Sequence, residues 1–478
     1  MVLAAAKEAP HVLWCLPFAA LVLSIAVLPL IPRSAHWWHS NFNKLLVSLA
    51  LAAITVIHYA TRDLGFVLHF PDVAGVLGSL GLGVGGDTTH PLTEPGAATA
   101  LGALFNAVWE YVPFITVLLA LYCTTGGILV KGHIPATPRS NTALLALGGL
   151  LASFVGTTGA SMLLVRLVLA GNAERKHKVH TFVFFILIVS NAGGMLLPIG
   201  DPPLFLGYIK GVPFLWTLSL WDAWAFALAC LLAMYYVLDR RAYARETRAD
   251  LIRDAGVRQP IRISGAINFL WLVMSVLAVA LVVPGKAIPG TSFFPPTFMR
   301  EGILLVLIVL SFVTTPRLVR SEARFSFFPI LEVAALFIGI FITMQPALEV
   351  LAAHGGGLGL DQPWQYFWAC GALSAVLDNA PTYGVFFQVS LAVTAGDPDA
   401  ARTISLVSGE AVRTDLLRAV SLGAVLFGAM TYIGNGPNFM VKAICEEQGV
   451  RMPSFFAYAL WSAAVLTPIF VLISLFMV

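Results

Sequence analysis

Of the 478 residues, 58% are hydrophobic and only 11% are charged, with 28 Lys and Arg against 25 Asp and Glu. A soluble globular chain carries about 25% charged residues, so composition excludes an ordinary soluble domain, and a net charge of +3 gives no electrostatic footprint for nucleic acid. The five cysteines (Cys15, Cys123, Cys230, Cys370 and Cys445) are scattered without a C-x-x-C or His-associated cluster, which indicates neither a metal site nor a disulfide framework.

Mean hydropathy is +0.86, and apolar runs recur at 12–32, 45–60, 214–238, 264–284, 302–315, 329–348 and 454–478. Runs of this kind suit the ~30 Å hydrocarbon core of a bilayer, which an α-helix spans in about 20 residues. The first run lacks a basic leader and a small-residue cleavage site, so it reads as a span rather than a signal peptide. Segment 61–98 is Gly-rich and loosely apolar, with room for an extra crossing or dip. Glu110 opens the apolar run E-Y-V-P-F-I-T-V-L-L-A-L, and a helical hairpin is expected over about 142–170, broken by S-F-V-G-T-T-G-A-S at 153–161. An interrupted helix is expected over about 181–208, where P-I-G-D-P-P-L-F (198–205) sets Gly, Pro and Asp inside an apolar stretch.

The same order then recurs. Glu332 opens E-V-A-A-L-F-I-G-I-F-I-T, a second hairpin is expected over about 364–393, broken at S-A-V-L-D-N-A-P-T (374–382), and a second interrupted helix over about 417–445 contains Y-I-G-N-G-P-N-F (432–439). The two P/Y-I-G-D/N motifs align Asp201 with Asn435. From Glu110 to Thr158 is 48 residues, and from Glu332 to Asn379 is 47. A polar insert around 395–403 accounts for the longer next step in the second half. The expectation is an all-α polytopic membrane protein of two repeats, 1–238 and 264–478, joined by a basic linker at 239–263. Five crossings per repeat, each with a re-entrant hairpin and a broken helix, would make the second repeat inverted relative to the first. The positive-inside rule supports an outside N-terminus: most Lys and Arg fall in alternate segments, above all Arg240, Arg241, Arg245, Arg248, Arg253, Arg258 and Arg262 in the linker.

Paired interruptions in two halves are the best sequence pointer to a transporter's binding site. Non-helical backbone at membrane depth is tolerated where it lines a cavity or is buried in protein, and half-helix ends offer carbonyls to cations and N–H groups to anions. Thr157, Thr158, Ser161, Ser190 and Asn191 line the first pair of breaks; Asp378, Asn379, Thr382, Thr431, Asn435 and Asn438 line the second. The plain alternative is that small polar residues let helices pack closely, which explains a single Ser or Thr better than four clusters. Four acids sit in apolar surroundings. A carboxylate at the bilayer centre costs about 2.5–3.5 kcal/mol on insertion scales, so it marks an ion path or proton relay. Asp201 and Asp378 lie in breaks, one per half, and suit exchange of a proton for Na⁺. Glu110 and Glu332 begin their apolar runs, where a carboxylate complements the helix dipole. Arg166 and Lys442 are placed either to snorkel to the interface or to pair with a site carboxylate.

S-N-A-G-G-M-L-L-P-I-G-D-P-P (190–203) resembles the S-N-A-G-G…P-I-G-D segment of NhaD-type sodium/proton antiporters, members of the ion transporter superfamily that also holds citrate and dicarboxylate carriers and the arsenite pump. D-N-A-P at 378–381 is similar to that family's second hairpin tip. The resemblance implies a homodimer in the bacterial inner membrane, with a fixed scaffold and an elevator-like unit of two hairpins and two broken helices. It also implies Na⁺ ligation by Asn191, Asp201, Asp378 and Asn379. Under Na⁺/H⁺ exchange, Asn435 and freed backbone carbonyls would complete the shell, since a hard cation prefers oxygen ligands, with Na⁺ and H⁺ as the only ions and no other cofactor. One departure stands out: Thr157-Thr158 replaces the Asp-Asn pair of such antiporters, and a G-T-T-G-A-S tip is similar to that of chains described as putative citrate transporters.

Two transport readings follow. Na⁺ (or Li⁺)/H⁺ exchange requires Asp201 and Asp378. Na⁺- or H⁺-coupled transport of a citrate-like anion requires a cationic or N–H-rich pocket at the tips formed by Thr157, Thr158, Ser161 and Thr382. An intramembrane aspartyl protease using Asp201 and Asp378 is a poor match, because Asp201 follows P-I-G and Asp378 follows Val376-Leu377, and no H-E-x-x-H or G-x-S-x-G motif is present.

Overall fold

A computed structural model describes residues 9–86, 91–248, 260–395, 402–407 and 409–478. Arg253 and Arg258 of the basic linker, and most of the 395–403 insert, lie outside the described residues. The described chain is helical almost throughout. Three short two-stranded ribbons, β1 (Val84–Gly86) with β2 (Pro91–Thr93), β3 (Leu129–Lys131) with β4 (Arg262–Ser264), and β5 (Thr403–Ser405) with β6 (Ala411–Arg413), are its only regular strands.

The first half opens with α1 (Leu16–Val27), α2 (Pro32–Trp38), α3 (Asn41–Thr61), the short α4 (Pro71–Ser79) and the long α5 (Ala97–Thr125). Segment 61–98 holds no helix of spanning length among its described residues; its backbone is used by α4 and the β1–β2 ribbon. A helical hairpin follows, α6 (Pro138–Val155) and α7 (Thr157–Gly171), then α8 (Val179–Ile188), α9 (Pro202–Ile209) and α10 (Trp221–Tyr243). The second half runs through α11 (Ile267–Leu281), α12 (Met299–Thr314), α13 (Arg317–Glu322), α14 (Phe328–Thr343) and α15 (Gln345–His354). Its hairpin is α16 (Pro363–Val376) and α17 (Asn379–Ala395), followed by α18 (Thr414–Phe427), α19 (Gly436–Glu447) and α20 (Phe455–Phe476).

Among the described residues, five stretches are long and apolar enough to cross a membrane: Val12–Leu30, Asn41–Thr61, Ala97–Thr125, Phe214–Tyr243 and Phe455–Phe476. The pair α14–α15 adds a sixth if counted as one span, bent by 42°. Pro346, just past that bend, has no N–H to continue the helical ladder. Apolar surface tells which helices face lipid. Val313 on α12, and Phe456 and Leu460 on α20, are at least 74% exposed, an arrangement that marks contact with lipid or with another protein surface. The chain is thus a multi-pass membrane protein.

The broken helices are the opposite case. F-V-F-F-I-L-I-V at 182–189 has no polar face, and a helix apolar all round must be buried all round; every one of these eight residues is fully buried. Residues 416–427 of α18 are buried likewise except Arg418, which reaches Asp222. The first segments of the two broken helices therefore sit inside the protein, whereas α19 keeps an exposed face that includes Phe439. The halves are tied together by β3–β4, by Tyr122 Oη donating to the Ser326 carbonyl at 2.6 Å, and by stacking of Phe114 on Phe337 at 4.8 Å.

Two glycine positions shape the breaks. Gly156 turns the first hairpin with φ of 79°, a backbone that L-residues rarely adopt. Gly194 and Gly200 pack back to back across the α8–α9 break, so that a methyl group on Gly200 would drive into the Gly194 carbonyl oxygen. Gly200→Ala is therefore expected to cost about 1–3 kcal/mol by overpacking, read as a lower melting temperature of the detergent-solubilised protein. Gly436→Ala, at an exposed site where a methyl meets no atom within 4 Å, should leave it unchanged.

Candidate functional site

Four chain breaks meet at one carboxylate. Asp201 stands at the N-cap of α9 and Asn435 at the N-cap of α19, with closely similar backbones: φ −143°, ψ 141° and φ −152°, ψ 137°. An N-cap side chain ordinarily accepts from the N–H of the second or third helical residue. Here Pro203 and Pro437 occupy the second position and supply no N–H, and neither Asp201 nor Asn435 caps its own helix. Both side chains turn instead toward the middle of the protein and meet. Asn435 Nδ2 donates to Asp201 Oδ1 at 2.9 Å.

The hairpin tips complete the shell. Thr157, first residue of α7, donates from Oγ1 to Asp201 Oδ1 at 3.0 Å. Asn379, first residue of α17, donates from Nδ2 to Asp201 Oδ2 at 2.8 Å. One carboxylate thus accepts three bonds, one from each of the other three breaks, and Asp201, Thr157, Asn379 and Asn435 are all at most 2% exposed. No basic side chain contacts Asp201 among the described residues. The N-termini of α7, α9, α17 and α19 converge around it, giving the cluster a field that favours negative charge.

A second layer of amides braces the first. Asn435 Nδ2 also lies 3.2 Å from Asn191 Oδ1. Asn191 Nδ2 donates to Asn438 Oδ1 at 2.7 Å and to the Ile186 carbonyl at 2.8 Å. Asn438 Nδ2 in turn satisfies the carbonyls of Gly428 and Thr431 at 2.8 and 2.9 Å, the otherwise orphaned C-terminal groups where α18 ends. Ser161 and Ser190 share a hydroxyl contact at 2.8 Å, tying α7 to the end of α8. One acceptor is left over: Asn379 Oδ1 is buried without a hydrogen-bond partner. Its amide orientation is fixed by the bond from Nδ2 to Asp201, so the free oxygen belongs to the site. Such a group costs about 1–3 kcal/mol when left unsatisfied.

The sequence-derived residues divide accordingly. Asp201, Asn191, Asn379 and Asn435 are brought together, and so is Thr157. Thr158, the tip residue matched to Asn379 by spacing, is half-buried and makes no such bond; the register shifts by one, and Glu110 to Thr157 then spans 47 residues, equal to Glu332 to Asn379. Asp378 stands next to Asn379 in the chain, but its Oδ1 accepts the Ala380 N–H at 3.2 Å and it makes no hydrogen bond to Asp201. Thr382 Oγ1 donates to the Asp378 carbonyl at 3.0 Å, closing the first turn of α17.

The outlying charges are elsewhere. Glu110 does not begin a helix: it lies mid-way along α5, buried, with Lys210 Nζ at 3.3 Å. The helix starts thirteen residues earlier because A-A-T-A-L-G-A-L-F-N-A-V-W (97–109) is itself apolar and helix-forming. Glu332, near the start of α14, pairs with Lys44 at 2.6 Å. Arg166 donates to the Ala323 carbonyl and Lys442 pairs with Glu446 at 2.8 Å, so neither reaches Asp201 or Asp378. Lys210 and Lys44 were not marked by any sequence motif, although Lys210 follows α9 directly and so shares a short rigid element with Asp201.

A polar cluster assembled from four helix breaks inside apolar spans is the architecture of a membrane transporter. The chain belongs to the putative citrate transport family, whose model it matches over residues 7–70 and 92–478. A comparison with curated proteins found no match.

The bracing amide makes a stability prediction. Asn438→Leu keeps the branched shape but removes the acceptor of one Asn191 Nδ2 hydrogen and leaves the Gly428 and Thr431 carbonyls without their donor, at about 1–3 kcal/mol for each group. Thermal unfolding followed by size-exclusion fluorescence should show a marked loss of stability. Thr158→Val should behave as wild type in the same measurement.

Proposed function

We propose that this chain is a secondary active transporter that exchanges Na⁺ (or Li⁺) for H⁺ across the bacterial inner membrane, with Asp201 as the carboxylate that holds each ion in turn. The observation that carries this reading is the combination at one point of a buried carboxylate and an unpartnered amide oxygen on Asn379, with no basic side chain beside them among the described residues. A small hard cation prefers carboxylate and carbonyl oxygens, and these are the groups on offer. A proton on Asp201 would satisfy the same negative charge, so the two ions compete. Asn379 turns its free oxygen to the cation, Thr157 and Asn435 orient the carboxylate, and Asn191 and Asn438 hold Asn435 in place. Asp378 contributes a second negative charge near the site and draws cations toward it.

In this proposal the two hairpins and two broken helices travel as one body, because all four are bonded through Asp201. They would move past a scaffold built from the outer spans, in an elevator-like cycle within a homodimer.

A second reading has its own support. The family match names citrate transport, and four helix N-termini around the cluster favour an anion. In that case the same Asp201 site binds the coupling ion, Na⁺ or H⁺, and a citrate-like carboxylate is the cargo at the hairpin tips.

Purified protein in liposomes with an imposed ΔpH separates the two. Under the leading reading, external Na⁺ or Li⁺ alone dissipates the gradient, and Asp201→Asn abolishes that response in a protein that still folds and inserts. Asp378→Asn is expected to weaken the apparent Na⁺ affinity without abolishing exchange, since its carboxylate acts through space. Silence with every cation, followed by Na⁺-dependent uptake of labelled citrate, would move the chain to the second reading. A fully active Asp201→Asn protein would sink both.

A further inference from the structure

Far from the Asp201 cluster, a cavity of about 620 Å³ opens where α8 begins, α10 ends and α20 begins. Its wall carries Lys176, His177, Lys178, Arg241 and Arg245, and Trp461 closes one side. We propose that this cavity binds the phosphate-bearing headgroup of an anionic phospholipid.

Three features support that occupant. The first is charge. Of the acids near these basic groups, Asp239 and Glu246 are turned inward and used. Asp239 Oδ1 is held by Arg175 at 2.7 Å and by His180 at 2.8 Å, and Glu246 accepts the backbone N–H groups of Lys176 and His177 at 3.2 and 2.8 Å. Glu246 thereby fixes the loop that presents those two side chains. Arg241, in the last turn of α10, and Arg245, in the turn just after it, are exposed at the cavity and are paired with none of the described acids. The second is the start of α8 itself, whose first N–H groups add positive potential at the cavity floor.

The third feature distinguishes a lipid from a free anion. The cavity sits at the end of two helices whose outer faces are apolar and exposed, with Val237 on α10 and Phe456 and Leu460 on α20. Trp461 lines the cavity and is itself 39% exposed, the placement expected of an aromatic ring at headgroup level. A headgroup in the basic cavity would leave its acyl chains along α10 and α20, where hydrocarbon is needed in any case. Basic pockets between spanning helices are suited to anionic headgroups, and three segments remote in sequence (176–180, 238–245 and 453–461) combine to make this one.

Native mass spectrometry of the full chain in neutral detergent, titrated with phosphatidylglycerol and with phosphatidylcholine, tests the site. Phosphatidylglycerol should be retained in clear preference to phosphatidylcholine. Arg241→Gln with Arg245→Gln should weaken it roughly thirtyfold, from the contribution of two surface cations, and Trp461→Ala should weaken it as well. Arg317→Gln, an exposed change in a different segment, should leave it unaltered. Should the double variant not purify, Arg241→Gln alone gives the same reading at roughly fivefold. Equal retention of the two lipids, or an equal loss with Arg317→Gln, overturns the proposal. Displacement of phosphatidylglycerol by an equal concentration of inorganic phosphate also overturns it, assigning the cavity to a free phosphate.

Discussion

The Asp201 carboxylate accepts hydrogen bonds from Thr157, Asn379 and Asn435, and this is the constraint on which the interior depends. Each donor stands at the start of a half-helix, and each half-helix exists only because the chain before it breaks. A continuous helix would satisfy its own backbone and bring no side chain to this point. The breaks release backbone groups that must be paired, and the amides of Asn191 and Asn438 together with the hydroxyl of Thr431 pair them. Polar residues in the centre of an apolar protein are thus explained twice over, by the carboxylate they serve and by the helix ends they seal.

The prolines explain why the carboxylate is available. Aspartate before a helix normally spends an oxygen on its own N-terminus. D-P-P removes the first two N–H groups of α9, and N-G-P removes the second of α19, so Asp201 and Asn435 point away from their helices and toward each other. This is a case of local sequence chemistry setting a long-range contact: residues 234 positions apart meet because neither can be satisfied at home.

Much of this was legible in the sequence. The spans were given by runs such as 45–60 and 214–238, where length and hydropathy decide the matter. The breaks at Gly156, Asp201, Asp378 and Asn435 were given by Gly and Pro in apolar surroundings, which no continuous helix tolerates well. The breaks marked Asn191, Asp201, Asn379 and Asn435 as lining residues, and the resemblance grouped Asn191, Asp201 and Asn379, together with Asp378, as one ligand set. What the sequence left unresolved depends on angular position. Thr157 and Thr158 are chemically alike and adjacent, and only the direction in which α7 starts puts the first of them on Asp201. Glu110 has the same neighbours in sequence whether it begins a helix or lies inside one; the apolar stretch before it decided for the interior, and Lys210, distant in sequence, supplies the counter-charge. Asp378 is adjacent to Asn379, yet the start of α17 turns its side chain to its own backbone.

The central claim, that one carboxylate holds Na⁺ and H⁺ in competition, is tested most directly by proton release. Purified protein in weakly buffered detergent solution would be titrated with NaCl, with choline chloride as control, while free proton concentration is followed by an indicator dye. The account predicts that Na⁺, but not choline, releases protons from the wild-type protein, and that Asp201→Asn releases none. Na⁺ binding without proton release, or release undiminished in Asp201→Asn, would contradict it.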